Sequence, residues 1–300
     1  TNDGLNKAFN QLIQKLSGSR SQKLLWRIGD AELNKIEFVS SYSTELIDEQ
    51  EFLIVKFNDE ALIPELRKIG IPLIGFNRPV ILILFKIDTG ESAPIFLSSS
   101  ASSDILSAEI KRTFQKIALE RGVYLELPEF DLEDQNLLNQ TNILFSPSNY
   151  IQEKFYNDAF LAIKLVRVGI NQWSVNGDLQ SISPLQEKQV VKFFQTAVHG
   201  FLDDFLEVKP LESGASGEQM MVTIQGLENF EDFQAVESEL DKIFAIKSRS
   251  FQAFERTKID YLTQLFQTKA SLMQELRGST KFLIKEYNPD INQLKLEYLN

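Results

Sequence analysis

The segment from Val80 to Asp88 constrains the fold more than any other part of the chain. Seven of the eight residues from Val80 to Ile87 are apolar, and Lys86 is the exception. A strand with one wet face alternates apolar and polar residues, so an unbroken apolar run predicts a strand buried on both faces. A helix stop at Gly70 and a turn through Gly75–Pro79 come before it. The run therefore predicts a layered α/β core.

Composition excludes several classes of protein. The chain has 300 residues, enough for two or three domains, and its formal net charge is −11. That charge opposes binding to nucleic acid or to an anionic lipid surface. Cysteine is absent, so disulfides, thiolate zinc sites and cysteine nucleophiles are excluded. No segment approaches the roughly 18 apolar residues that a transmembrane helix needs.

Periodicity predicts three small mixed α/β modules, an α/β (α+β) fold class. The first covers residues 1–77, and the second covers 78–209 and ends in a long helix from about Leu185 to Val208. Residues 210–218 are rich in glycine and serine and are predicted to be a linker. The third module covers residues 219–300.

In the first module, apolar residues from Leu5 to Leu16 recur at helical spacing, and Gly18 is a plausible stop. Asp30 is predicted to cap a second helix that carries Leu33 and Ile36. A strand is predicted from Glu51 to Phe57, followed by a helix capped by Asn58.

The third module shows the order β-α-β-β-α-β, which is typical of a ferredoxin-like sandwich, with one extra strand. The extra strand is predicted from Ile291 to Leu299, where Leu294, Leu296 and Tyr298 alternate with polar residues. As the last strand, it is predicted to be a sheet edge that accepts a strand from a partner protein. Nearby aromatic residues are candidates for a binding face: Phe254, Phe266, Tyr287 and Tyr298.

Short motifs spread over most of the chain resemble those of one protein family. They are the turn Gly75-Phe-Asn-Arg-Pro79 with its following strand, Phe52–Phe57 with Ala61-Leu62, Arg121–Pro128, Asp131–Asp134, and Val222–Gly226 with Phe230, Phe233 and Val236. In this order they are similar to a proteobacterial envelope family known as domain of unknown function number two thousand and sixty-six. The Trp or Gly-rich spacing that usually precedes Asn-Arg-Pro in the family is replaced here by Ile74-Gly75-Phe76.

The resemblance implies an exported protein, located in the periplasm or at the periplasmic face of the outer membrane. The chain opens with Thr-Asn-Asp-Gly, without an initiator methionine or a basic leader, so we expect a processed or trimmed start. The family supplies no catalytic residues. We therefore expect a non-enzymatic structural or assembly protein without cofactors, such as an accessory subunit of an envelope-spanning secretion complex. Its expected partners are other envelope proteins in a hetero-oligomeric assembly.

Two groups of residues are candidates for a ligand site or an interface. Asn77 and Arg78 lie at the turn before the apolar strand, where an arginine either anchors a ligand carboxylate or phosphate or fixes the loop through backbone carbonyls. The second group is Asp131, Glu133 and Asp134, close to Glu126 and Glu129 in sequence.

For these carboxylates the calcium-loop spacing and its glycine are missing, and capping is the favoured interpretation. Asp131 would cap a helix, and Glu133 and Asp134 would face the positive end of its dipole. Together with Asn77 and Arg78 they define the alternative function, a soluble binding module for a small ligand or a peptidoglycan fragment.

His199 is the only histidine, so a two-histidine zinc site is excluded. It lies beside the apolar stripe of the long helix and is interpreted as a boundary residue of a packed face. A glycoside hydrolase would need two carboxyl groups about 5–10 Å apart, a distance that sequence does not supply.

Overall fold

The computed structural model describes residues 2–47, 50–75, 78–99, 104–139, 147–206, 218–266 and 269–299. Within these ranges it contains helices and three sheets of mixed strand direction, which confirms the predicted α+β class. The chain forms two compact units, one of residues 1–77 with 207–300 and the other of residues 78–206. The division into three modules stays a prediction, and the linker 210–218 lies mostly outside the described residues.

The N-terminal part of the first unit packs three helices with a two-stranded hairpin. Its elements are α1 (Asn2–Ser17), α2 (Gln22–Asp30), a 3-10 helix (Lys35–Phe38), β1 (Val39–Ile47), β2 (Gln50–Phe57) and α3 (Asp59–Lys68). As predicted, Asn58 caps α3, because its side chain accepts a hydrogen bond from the Ala61 N–H.

The predicted helix after Asp30 is wrong. Asp30 is instead the last residue of α2, whose buried side chains are Leu24 and Ile28. Glu32 then adopts a left-handed φ of 50°, which interrupts the helix. Ile36 is 64% exposed in the 3-10 helix, so it does not belong to a buried helical stripe.

The second unit is built around one six-stranded sheet. Its elements are β3 (Val80–Asp88), β4 (Ile95–Phe96), α4 (Ile105–Arg121), β5 (Tyr124–Glu126), α5 (Leu132–Leu138), α6 (Pro147–Lys154), β6 (Ala159–Gly169), β7 (Gln172–Gly177), β8 (Leu185–Gln186) and α7 (Glu187–Leu206). The strand order is β4-β3-β6-β7-β8, and β5 also pairs with β3. β3 runs parallel to β5 and β6, and β6 and β7 form an antiparallel hairpin.

β3 is buried on both faces, as its unbroken apolar run predicts. One face joins the core formed with α4 and α7, where Phe85 makes edge-to-face contacts with Phe114 and Phe194. Leu82 and Leu84 point to the opposite side, into a smaller cluster with residues of α5 and α6.

The C-terminal part of the first unit contains a five-stranded sheet. Its elements are β9 (Gln219–Gln225), α8 (Phe230–Asp241), β10 (Ile246–Glu255), β11 (Lys258–Leu265), α9 (Lys269–Arg277), β12 (Phe282–Asn288) and β13 (Gln293–Tyr298). The order of elements is the predicted β-α-β-β-α-β with one extra strand. In space, the strands follow the order β10-β11-β9-β13-β12.

The prediction that the last strand is an edge is wrong. β13 lies inside the sheet, parallel to β9 and antiparallel to β12. Its alternating Leu294, Leu296 and Tyr298 are all buried, so this strand is held by the core on one face and by a neighbour on each side. The edges are β10 and β12. Of the proposed aromatic face, Phe266 is also buried, whereas Phe254 is half exposed.

The two parts of the first unit are joined by contacts around Phe244. Its side chain is buried in the core of the N-terminal helices. The Arg67 guanidinium lies 5.1 Å from the centre of the Phe244 ring and donates hydrogen bonds to the backbone oxygens of Asp241 and Ile243. Glu275 accepts the backbone N–H groups of Phe244 and Ala245 at 2.7 and 2.9 Å.

Candidate functional site

The structure places the predicted site residues in the second unit. Asn77 lies outside the described residues. Arg78 is half-buried just before β3 and interacts with other residues of the protein. The adjoining Pro79 carbonyl accepts a hydrogen bond from the N–H of Tyr124 at 3.0 Å, which links Pro79 to the start of β5.

Asp131 and Asp134 form a capping box at the start of α5, which confirms the capping interpretation. The Asp131 carboxylate accepts the Asp134 N–H at 2.8 Å, and the Asp134 carboxylate accepts the Asp131 N–H at 3.3 Å. Glu133 is exposed in the same first turn, where a negative charge favours the helix dipole.

Asp134 also ties α5 to α6. It is 2% exposed, and its Oδ1 accepts hydrogen bonds from the Tyr150 hydroxyl at 2.7 Å and from the Lys154 ammonium at 2.5 Å. Lys154 lies over the rings of Tyr150 and Phe155 as well. Both Asp134 oxygens are therefore engaged inside the protein.

The electrostatics of Asp134 agree with this structural role. Burial by itself would raise the pKa of the carboxyl group, but the hydrogen bonds from Lys154, Tyr150 and the Asp131 N–H outweigh it and hold the pKa below its usual value. The hydrogen bond to Asp134 raises the pKa of Lys154. Both partners thus keep their charges at neutral pH.

The other carboxylates of this segment do not gather around a common point. Glu129 accepts a hydrogen bond from the Ser99 hydroxyl at 2.8 Å, and Asp131 and Glu133 are exposed. Among the residues that the structure describes, no group of three histidine, cysteine, aspartate or glutamate side chains is arranged to hold a metal ion.

A buried polar cluster between α4 and α7 was missed in part by sequence reasoning. Arg121 is 1% exposed, forms an ion pair with Asp203 at 2.8 Å and lies 3.3 Å from His199 Nδ1. Arginine only donates, so this Nδ1 is an acceptor, and the His199 Nε2 faces Glu120 at 3.5 Å. His199 is 3% exposed, so it lies deeper than the predicted boundary position.

The sequence does carry a signal for this cluster. His199 and Asp203 are four residues apart on one helix, directly beside the apolar stripe of α7 that contains Val198 and Leu202. A histidine buried in such a position needs a hydrogen-bond partner, whereas the Asp203 side chain is 44% exposed. Sequence does not show that Arg121 contacts both of them.

A second polar cluster lies in the C-terminal part of the first unit. Arg249 bridges Glu237 and Asp241, with distances of 2.5 and 2.6 Å. The Tyr261 hydroxyl donates to Glu237, and burial together with this hydrogen bond raises the pKa of Tyr261 far above its usual value. The cluster links β10 and β11 to α8.

Large apolar side chains are exposed on two edge strands. In β10, Phe251 and Phe254 are 58% and 51% exposed, and among the described strands only β11 pairs with β10. In β1, the side chains of Tyr42 and Leu46 are 78% and 75% exposed. Exposed apolar surface next to an open strand edge is typical of protein-binding sites.

Comparison with known proteins does not assign this chain to a family. No protein-family model, curated protein or solved structure matches this chain. The family resemblance therefore stays a prediction. No described helix is long and apolar enough to span a bilayer.

Proposed function

We propose that this protein is a non-enzymatic structural or assembly protein that works by binding other proteins. The observation that carries the proposal is the exposure of large apolar side chains on the edge strands β1 and β10. An edge strand offers backbone hydrogen bonds and neighbouring apolar side chains to the same partner, which is how β-strand addition works.

The roles of the predicted ligand residues favour this function over the alternative. Asp131 and Asp134 cap the start of α5, and Asp134 also accepts hydrogen bonds from two residues of α6. A carboxylate whose oxygens already accept three protein donors has little capacity left for a ligand. The alternative, a module for a small ligand or peptidoglycan fragment, then depends on Arg78 and on Asn77.

The proposed location is the periplasm or the periplasmic face of the outer membrane, and the proposed context is a hetero-oligomeric envelope complex such as a secretion system. Both rest on the motifs of the sequence, above all Gly75–Pro79 and Arg121–Pro128, and on their resemblance to an envelope family.

The test is the mass of the protein as it occurs in its native envelope. The envelope is solubilised in a mild detergent, and the tagged protein is purified and measured by size exclusion with light scattering. We expect a particle containing other polypeptides, well above the chain mass of 34.3 kDa. Recovery of the protein alone at that mass would refute an assembly role.

Thermal-shift measurements test the alternative. Muropeptides and divalent ions are added to the wild type and to Arg78→Ala. We expect no ligand-induced shift, and a lower melting temperature for Arg78→Ala as the only effect. A stabilisation by a muropeptide that Arg78→Ala abolishes would establish the binding module instead.

A further inference from the structure

The hairpin of β1 and β2 is poorly covered by the rest of the described residues of the first unit. All residues from 41 to 46 are exposed, although β1 includes Tyr42 and Leu46. A two-stranded hairpin is marginally stable in water unless a third strand or a packed helix supports it.

α1 supports β2 and leaves β1 open. The Phe57 ring of β2 lies edge-on to Phe9 of α1 at 5.7 Å between ring centres. Further along, Leu53 lies next to Gly4 of α1, close enough that a Cβ on this glycine would be 3.1 Å from it. The helix thus covers the β2 half of one hairpin face.

The open half of that same face is apolar. The pairing places Tyr42 opposite Val55 and Thr44 opposite Leu53. Directly opposite residues of an antiparallel pair share a face, so Tyr42 and Leu46 form an exposed patch on β1 that borders Leu53, which α1 leaves 44% exposed. The patch reaches the outer edge of the hairpin, where β1 has no neighbour among the described strands.

The other face of β1 is polar and acidic. Its exposed residues are Ser41, Ser43 and Glu45. In sequence, the stretch 45–51 around the connection of the two strands contains four carboxylates and no basic residue. Lys56 pairs with Ser41 at the far end of the hairpin. In sequence, the stretch 45–51 therefore has a net charge of −4.

We propose that β1 accepts an extended segment of another protein as a third strand, and that this segment alternates apolar residues with lysine or arginine. Every second residue of β1 turns its N–H and C=O away from β2, so an added strand continues the backbone hydrogen bonds. Its apolar side chains lie beside Tyr42 and Leu46, and its basic side chains lie on the face of Glu45. The inference rests on the proposed binding function and names its surface.

A basic segment fits this edge better than a second copy of the chain. A copy would bring its own Glu45 and a second net charge of −11 to the contact. Opposite charge on the partner removes that repulsion and accelerates association.

The probe is a blocked nine-residue peptide that alternates valine and lysine, and the matched peptide has glutamate in place of lysine. Binding to the full chain is measured by fluorescence anisotropy, and amide hydrogen exchange locates the bound peptide. The variants are Leu46→Ser and Glu45→Lys, both at exposed positions. Ile182→Ser is the control, because Ile182 is a fully exposed apolar residue of the other unit.

We expect the lysine peptide to bind and to slow amide exchange along β1. Leu46→Ser should weaken it about tenfold, as for the loss of an apolar anchor, whereas Ile182→Ser should not. Glu45→Lys should shift the preference towards the glutamate peptide. An acidic protein attracts any cationic peptide, so binding that leaves β1 amides unprotected, or that Leu46→Ser does not weaken, overturns the inference.

The native complex separates this inference from the broader proposal. Loss of the complex mass with Leu46→Ser supports the site on β1. A complex that persists in this variant overturns the site and leaves the assembly role standing. A dimer of the pure chain that Leu46→Ser dissociates would identify a second copy as the occupant and overturn the basic partner.

Discussion

Asp134 offers the sharpest test of whether the acidic segment is structural or is kept for a ligand. Its Oδ1 accepts the donors of Tyr150 and Lys154, and its Oδ2 accepts the Asp131 N–H. In Asp134→Asn, an amide nitrogen replaces one of these oxygens. A donor then faces a donor in either orientation of the side chain, and the charge opposite Lys154 is lost.

The expected loss in the free energy of unfolding follows from the three contacts of Asp134. The Tyr150 hydrogen bond and the long 3.3 Å cap each contribute about 1 kcal/mol, and a charge-assisted bond contributes about 1.5–3 kcal/mol. Lys154 is 38% exposed, so water recovers part of the last contribution. We therefore expect Asp134→Asn to lower the free energy of unfolding by about 2 kcal/mol, and Asp134→Ala by about 3 kcal/mol.

Tryptophan fluorescence measures this change in the unit concerned. The chain has two tryptophans, of which Trp173 is buried in the core of the second unit and Trp26 is exposed in the first. In a Trp26→Phe background, urea unfolding followed at Trp173 reports residues 78–206. Glu133→Gln is the matched control, because Glu133 is exposed in the same helical turn and should change stability by less than about 0.5 kcal/mol.

The effect of Asp134 should depend on pH. Its pKa is lower in the folded state, so its stabilising contribution is complete above the usual carboxyl value near 3.9 and disappears as pH falls through the folded value. The difference between wild type and Asp134→Asn should shrink below about pH 4. An unchanged or higher unfolding free energy for Asp134→Asn at pH 7 would refute the structural role, because carboxylates kept for a ligand commonly reduce stability.

Two further predictions concern the first unit. Gly75→Ala should lower the free energy of unfolding by about 1–3 kcal/mol, because the added Cβ would overlap the Glu275 carboxyl group. Gly29→Ala in α2 is the control, since its Cβ meets no atom within 4 Å and should not destabilise the protein. Thermal unfolding of both variants checks this, and equal melting temperatures would contradict it. Tyr261→Phe should cost about 1–2 kcal/mol at pH 7, because Glu237 loses a donor. The pKa of Tyr261 is raised in the folded state, so its contribution is complete below about pH 10 and is lost at higher pH. Urea unfolding from pH 7 to 11 measures this, and a constant difference between the two proteins would disprove it.

Local chemistry made several elements predictable from sequence. Asn58 and Asp131 cap helices because their short polar side chains reach a backbone N–H three residues ahead, and this geometry is encoded within one turn. The burial of β3 is likewise encoded in its own residues, since an unbroken apolar strand is stable only between two layers. Gly122 ends α4 in the left-handed conformation that favours glycine.

Other features depend on contacts that are distant in sequence. β1 was not predicted because its segment alternates weakly, with serine at positions 40, 41 and 43, and its only strand partner among the described residues is β2. The predicted helix after Asp30 is wrong although Leu33 and Ile36 have helical spacing. Leu33 packs against the core from a non-helical position, whereas Ile36 is exposed. Arg121 was overlooked because its partners lie 78 or more residues further along the chain.

The hairpins β1–β2 and β12–β13 show why an edge strand could not be identified from its position in the chain. β13 is the last strand, yet its three buried side chains, Leu294, Leu296 and Tyr298, fit between β9 and β12 on a core that already exists. β1 has two exposed apolar side chains, Tyr42 and Leu46, on one face, and the described contacts of α1 on that face are with Phe57 and Leu53 of β2. An apolar side chain becomes available to a partner when the fold has no remaining layer to cover it, and this is a property of the whole unit. This is why the proposed interaction surface lies on β1, where Tyr42 and Leu46 are exposed, and not on β13, whose apolar side chains are buried.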